Sequence, residues 1–263
     1  MPALYAHDRF GKKAAALLAP ELQNIITDHE PQFRIGLQGP DLFFFYHPWG
    51  QNRVRRYGSH LHHVSALPFF RHAARVVRKR GRDTAEYAYL LGFICHFTLD
   101  SECHPYVAER IEESGVAHLE IEEEFEKKLL RLDDRDPLAF PLATLVPEDE
   151  ETVRAIAPFY PSMNEEIVQE SLHDLRLVKK LFCAPQPCRQ WLLNSVMKLT
   201  GHYAEMKGLM HQRHDNPKCI TSNRELLRRF DEAIPLAVSL ITQYDAYVRG
   251  EGKLGARFDR TFE

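Results

Sequence analysis

Apolar residues recur at intervals of three and four along much of the chain, and this spacing sorts it into helices. In 59–80, Leu61, Val64, Leu67, Phe70, Ala74 and Val77 fall on one stripe, so a single helix is predicted there. In 83–99, Tyr87, Leu90, Leu91, Ile94, Cys95, Thr98 and Leu99 do the same, with Asp83 or Thr84 placed to cap the start. A third pattern, 116–132, follows Gly115 and sets Leu119, Ile121, Phe125, Leu129 and Leu130 among glutamates. Further helical patterns run over 149–158, 163–183, 187–212 and 222–249. Alternating Val/Ile/Thr runs and Asn-Gly turns are missing, so strands are not expected. The predicted class is all-α, a multi-helix bundle. Residues 133–150 contain three prolines and no sustained period, which reads as a linker. It divides a first helical region, 1–135, from a second, 136–263, that packs on it and partly roofs it within one domain.

Composition changes this picture in three respects. The 263 residues can bury a substantial core. A net charge of −3 makes any affinity for anionic surfaces a matter of local patches. Arg53, Arg55, Arg56, Arg71, Arg75, Arg78, Lys79, Arg80 and Arg82 form one such concentration, read either as a solvated face balanced by the acidic run 120–126 or as a patch for phosphate surfaces. The five cysteines lack C-x-x-C spacing and no signal-peptide pattern or apolar run of about 18 residues is present, so a cytoplasmic protein without a transmembrane segment is expected. The 14 histidines are an excess that packing does not explain and that asks for chemistry.

The chemistry concentrates in 91–107, LGFICHFTLDSECHPYV. His96 and Asp100 stand four residues apart, which on a helix stacks them on one face with about 6 Å of rise between them. An imidazole and a carboxylate so placed can converge on one cation. His104 follows after another four, but Pro105 disfavours helical geometry before it, so His104 is expected to leave the helix end. His118 and Glu122 repeat the spacing on the next helix, so the all-α multi-helix bundle is expected to hold a multinuclear metal site between helices, and 1–135 is read as the metal-site region. Nitrogen and carboxylate donors without thiolates suit zinc in an open catalytic site. Cys95 and Cys103 face elsewhere and read as core thiols, and His202, His211 and His214 read as surface residues. In the run Leu42–Tyr46 most positions read as core, with one or two rings able to face the site.

These residues resemble the signature of the zinc-dependent phospholipases C, whose fold the single-strand-specific nucleases share. The resemblance rests on His96-x-x-x-Asp100-x-x-x-His104-Pro105 and on His118-x-x-x-Glu122. Upstream, Gly36–Asp41 resembles a Gly-x-x-x-Pro-Asp motif, Tyr57–His62 a Gly-x-x-x-His segment, and Tyr5-Ala6-His7 an N-terminal histidine. The resemblance implies one zinc held by Asp41, His62, His96 and Asp100, with His62 preferred over His60, and a second held by His104, His118 and Glu122. A third would involve His7 with Asp100 as a bridging carboxylate. The secreted members complete that site with an N-terminal tryptophan, whereas this chain begins Met1-Pro2. Two zinc ions are therefore expected, and the third is left open.

The resemblance further implies phospholipase C-like cleavage of a phospholipid, or another phosphodiester, by metal-activated water, with Asp41 both a ligand and the orienter of the attacking water. Contact with a membrane surface would then be needed. Two other readings stand beside it: a nuclease-type phosphodiesterase on the same fold, and a non-catalytic helical scaffold with a structural metal. The dipeptides His7-Asp8, His173-Asp174 and His214-Asp215 suggest an HD-type phosphohydrolase, but its upstream histidine and the clustering are lacking. Headgroup preference and oligomeric state are not legible.

Overall fold

Proline and short polar side chains set most helix starts in the computed structural model, which describes residues 3–263. In chain order the helices are α1 (Leu4–Ala15), α2 (Pro20–Asp28), α3 (Glu30–Gly36), α4 (Arg53–His63), α5 (Leu67–Arg80), α6 (Ala85–Ser114), α7 (His118–Leu132), α8 (Glu150–Ile156), α9 (Glu165–Phe182), α10 (Pro187–Leu199), α11 (Tyr203–Met206) and α12 (Ile220–Arg249). A 3-10 segment, Gly39–Phe45, joins α3 to the loop before α4. Asn52, Thr84, Asp149 and Asn164 cap α4, α6, α8 and α9 by accepting from backbone N–H groups three residues on. Gly115 and Gly250 end α6 and α12 in the left-handed region. No strand occurs among the described residues, and the fold is all-α.

The core is organised around α6. Nearly every residue from Ala85 to Ser101 is buried, so this helix is enclosed on all sides rather than on one stripe. Helix α3 lies directly on it because two glycines face each other. A Cβ on Gly36 would lie 2.0 Å from the Tyr89 carbonyl oxygen, and one on Gly92 would lie 2.2 Å from that of Phe33. Buried apolar residues form one cluster running from Ala3 to Phe262, which includes residues of both α6 and α12.

Several expected boundaries shift. The single helix predicted over 59–80 is two, because residues 64–66 are extended or turning and Ala66 N donates to Arg260 O at 3.0 Å. The 187–212 pattern breaks after Leu199, where Gly201 takes φ 77°. The 133–150 stretch is irregular but not a free tether. Leu142, Ala143, Leu145 and Val146 are buried, and Asp133 accepts from Tyr5 Oη at 2.7 Å and Arg9 Nε at 2.6 Å.

Helix α7 carries its acidic run inward: Glu120, Glu122, Glu123, Glu124, Glu126 and Lys127 are all buried. Residues 207–216 cover it: Lys207 Nζ sits 2.7 Å from Glu120, Gln212 N donates to Glu123 at 2.8 Å, and Asn216 N donates to Glu124 at 2.8 Å. His211 is also buried, not superficial, with Nε2 2.9 Å from Glu126 and Nδ1 donating to Pro137 O at 2.7 Å. Burial is sustained because Glu120, Glu123, Glu124 and Glu126 each have a donor in the covering segment, while Glu122 faces His118 and His104. The basic residues of α5 do remain on its outer face, though Arg78 donates to carbonyls at the end of α12 and Arg82 is bound to Asp245.

Candidate metal centre

Five elements converge on one buried cluster. The turn after α3 supplies the first wall: Gly39 takes φ 50°, and a Cβ there would lie 2.1 Å from His96 Cδ2. Only glycine lets the backbone pass this close to the imidazole while Pro40 turns the chain and delivers Asp41. Asp41 Oδ1 lies 2.8 Å from His62 Nε2, on the last turn of α4, and 3.9 Å from His96 Nε2. His60, its alternative, is exposed.

Helix α6 supplies three positions in register. His96 Nε2 is 3.2 Å from Asp100 Oδ2, and His104 Nε2 is 3.9 Å from Asp100 Oδ1. The expectation that His104 leaves the helix is overturned, since α6 runs on through Pro105 to Ser114. Proline has no N–H for the carbonyl of Ser101, four residues back, and Arg260 Nη2 donates to that oxygen at 3.0 Å instead. Helix α1 brings His7, whose Nε2 is 3.3 Å from Asp100 Oδ1 and whose ring centroid is 4.6 Å from that of His96. Helix α7 adds His118 and Glu122, with Glu122 Oε1 2.5 Å from His118 Nε2 and 3.5 Å from His104 Nε2.

The donors fall into two groups, Asp41–His62–His96–Asp100 and His104–His118–Glu122, each with one ligand atom per residue within 4.8 Å of the others. Asp100 faces both, with Oδ2 toward His96 and Oδ1 toward His104 and His7. All are buried except His118, whose side chain is 40% exposed and forms the open edge.

Tautomer chemistry shows that this set fits a cation. His62 Nδ1 donates to Gly58 O at 2.8 Å, His96 Nδ1 to Leu37 O at 3.2 Å, and His104 Nδ1 to Phe262 O at 2.8 Å. In each neutral ring the remaining nitrogen, Nε2, then carries a lone pair, and each Nε2 points at carboxylate oxygens. Acceptors facing acceptors in a buried site need a positive charge between them, and carbonyl-held histidines are the usual support of metal ligands. Nε2 of His96 and His104, both ring nitrogens of His7 and Oε2 of Glu122 are buried without a hydrogen bond among the described residues.

The electrostatics divide the histidines. Burial pushes His96 down to about 3, leaving it neutral and ready to ligate. Burial acts downward on His104 as well, but Asp100 and Glu122 outweigh it and raise this residue to about 8. Burial would raise the carboxylates; the surrounding imidazoles instead hold Asp100 well below the usual range and bring Glu122 to about 2. The thiols behave differently, with burial pushing Cys95 up to about 12, so Cys95 and Cys103 remain inert core groups.

Three contributors are not apparent in the motifs. The first is Phe262, whose carbonyl orients His104 and whose ring lies 5.1 Å from His62 and 5.7 Å from His96. The second is Phe44, 5.0 Å from the His62 ring, the one member of the aromatic run that touches a candidate ligand. The third is Lys179, buried on α9 in the field of Glu126, Glu122 and Asp41. Its one sequence signal is a lysine set on the apolar stripe Leu172, Leu175, Val178, Phe182. Met1 and Pro2, on which the departure from an N-terminal tryptophan turns, lie outside the described residues.

No curated protein and no solved structure matches the chain significantly. The family described as zinc dependent phospholipase C matches residues 6–164, more than half of the chain and a span that includes every candidate ligand. The chain belongs to the zinc-dependent phospholipase C family.

Proposed function

We propose that the protein is a zinc-dependent phosphodiesterase that cleaves a phospholipid in the phospholipase C manner, at the centre formed by α1, α4, α6, α7 and the turn carrying Asp41. The observation that carries this reading is the convergence of seven nitrogen and carboxylate donors, in two neighbouring groups with Asp100 Oδ1 3.9 Å from His104 Nε2 between them, inside a family defined by zinc and phospholipid. His104, His118 and Glu122 would supply three ligands to one ion, a number that suits a catalytic zinc site open to water or substrate. Asp41, His62, His96 and Asp100 would hold another, and His7 beside Asp100 is the candidate for a third. When bound, zinc supplies Lewis acidity, acidifying water and neutralising charge that develops on phosphate oxygens.

The chain's own groups do the positioning. The carbonyls of Gly58, Leu37 and Phe262 lock three imidazoles with Nε2 toward the centre. Asp41 stays ionised through the neutral range, so it orients an attacking water by accepting its hydrogen bond rather than by storing its proton. Phe44 and Phe262 keep the His62 side apolar. The phosphate approaches along the exposed edge at His118.

Elemental analysis of the purified full chain, paired with a panel of phospholipids, oligonucleotides and a generic phosphodiester, tests the proposal. Two zinc ions per chain and chelator-sensitive phospholipid hydrolysis, both lost on His118→Ala, are expected. Zinc without hydrolysis of any member would indicate a saturated structural site. Preference for oligonucleotides would move the activity to the nuclease class.

A further inference from the structure

Helix α10 faces the wrong way for a surface helix. A helix of a globular protein ordinarily turns its apolar stripe inward and its polar residues to water. Here Gln190 and Asn194 point inward, donating to His211 O at 2.9 Å and Gln212 Oε1 at 3.1 Å, together with the buried Met197. Trp191, Leu192, Val196 and Leu199 are exposed, Trp191 by 70% and Leu199 by 87%. Arg189 Nη2 donates to the carbonyls of Lys180 and Leu181, which joins the start of α10 to the end of α9, where Leu177 and Leu181 are exposed. Six of the ten large hydrophobic residues exposed among the described residues therefore lie on α9 and α10. A concentration of this kind marks a docking surface rather than scattered exposure.

Charge selects the occupant. In a chain of net charge −3, residues 175–204 contain no Asp or Glu, while Lys180, Arg189 and Lys198 are exposed around the apolar face. A second copy docked face to face would bring these cations against one another. A bilayer surface with anionic headgroups pairs them and accepts tryptophan and leucine below the headgroup level. We propose that the outer face of α10, with Leu177 and Leu181, docks this protein onto an anionic lipid surface. The helix lies outside the residues matched by the family, and it is fastened through residues 211–212 to α7, the helix that carries His118 and Glu122. The inference builds on the phospholipid reading, but docking is measured apart from turnover, so each can fail alone.

Trp49→Phe leaves Trp191 the sole tryptophan of the full chain and makes it the reporter. Phosphatidylcholine vesicles containing phosphatidylserine should shift its emission to the blue and co-sediment the protein, and added salt should weaken the binding. Leu192→Glu with Leu199→Glu, both at exposed positions, should weaken vesicle binding about tenfold or more while hydrolysis of a soluble phosphodiester is unchanged. Equal vesicle binding by wild type and variant would overturn the proposal. So would a wild-type dimer in sedimentation that the two glutamates convert to monomer without any vesicle binding. Vesicle binding without hydrolysis of any phosphodiester would leave the docking face standing and remove the enzymatic reading.

Discussion

At Gly39 and His104 the centre depends on single atoms. A methyl group at Gly39 would overlap the His96 ring and sit in a left-handed conformation, so Gly39→Ala should cost about 1–3 kcal/mol and lower zinc content together. Thermal unfolding and elemental analysis of that variant read the two effects; normal zinc at normal stability would refute the close approach. His104 makes a pH prediction. Its pKa in the metal-free protein is raised from the ordinary 6.5 to about 8 by Asp100 and Glu122, against its burial. A raised histidine stabilises the metal-free fold fully below pH 6.5, and that contribution is lost as pH climbs through about 8. Zinc needs the neutral ring, so zinc affinity should rise across the same window, read by competition with a chromophoric chelator. A flat profile would exclude His104 as a ligand. At this scale the sequence was informative about residue type and spacing, because i, i+4 donors on a helix must share a face. It carried no sign of the Leu37, Gly58 and Phe262 carbonyls, since a backbone acceptor has no residue identity.

Among the elements, α6 and α7 show where pattern reading succeeds and where it stops. Thr84 caps α6 as its side chain allows, but a proline at 105 ordinarily predicts a helix end. The helix continues because Arg260, far along the chain, satisfies the carbonyl that Pro105 abandons. Arg260→Ala should therefore lower stability by about 1 kcal/mol, visible in denaturant unfolding, and an unchanged midpoint would show that water serves Ser101 equally well. Helix α7 sets its apolar residues among glutamates in the sequence, and in the structure Glu120, Glu123, Glu124 and Glu126 are buried with donors from residues 207–216. His211→Ala leaves Glu126 with the Tyr5 N–H but without its imidazole, and should cost about 3 kcal/mol. The His211 pKa is raised by Glu126 against burial, so this contribution is present at acid pH and fades as pH rises through the raised value. Stability of wild type and variant converging with rising pH is the expected signature. Helical periodicity cannot separate a charged face in water from one covered by complementary charge, because both look polar.

For the whole molecule, the C-terminal segment closes the centre from outside the family-matched span. Removing residues 260–263 takes away the Phe262 carbonyl that holds His104 and the ring packed on His62 and His96. Zinc affinity should fall about 10- to 100-fold, the scale of other lost supports to metal ligands, with helical content by circular dichroism retained. Undiminished affinity would place the orientation of His104 in α6 alone. The sequence by itself determined the helical class, the ordered set of ligand types and the two i, i+4 pairs, because these are local consequences of residue identity and helical period. Only the tertiary structure decided that α6 passes through Pro105, that the α7 carboxylates are buried, that α10 turns Trp191, Leu192, Val196 and Leu199 outward, and that Phe262 backs the candidate metal centre. Each of these depends on which distant groups meet, and a carbonyl, an ion pair or a covered face acquires its meaning from the partner brought to it.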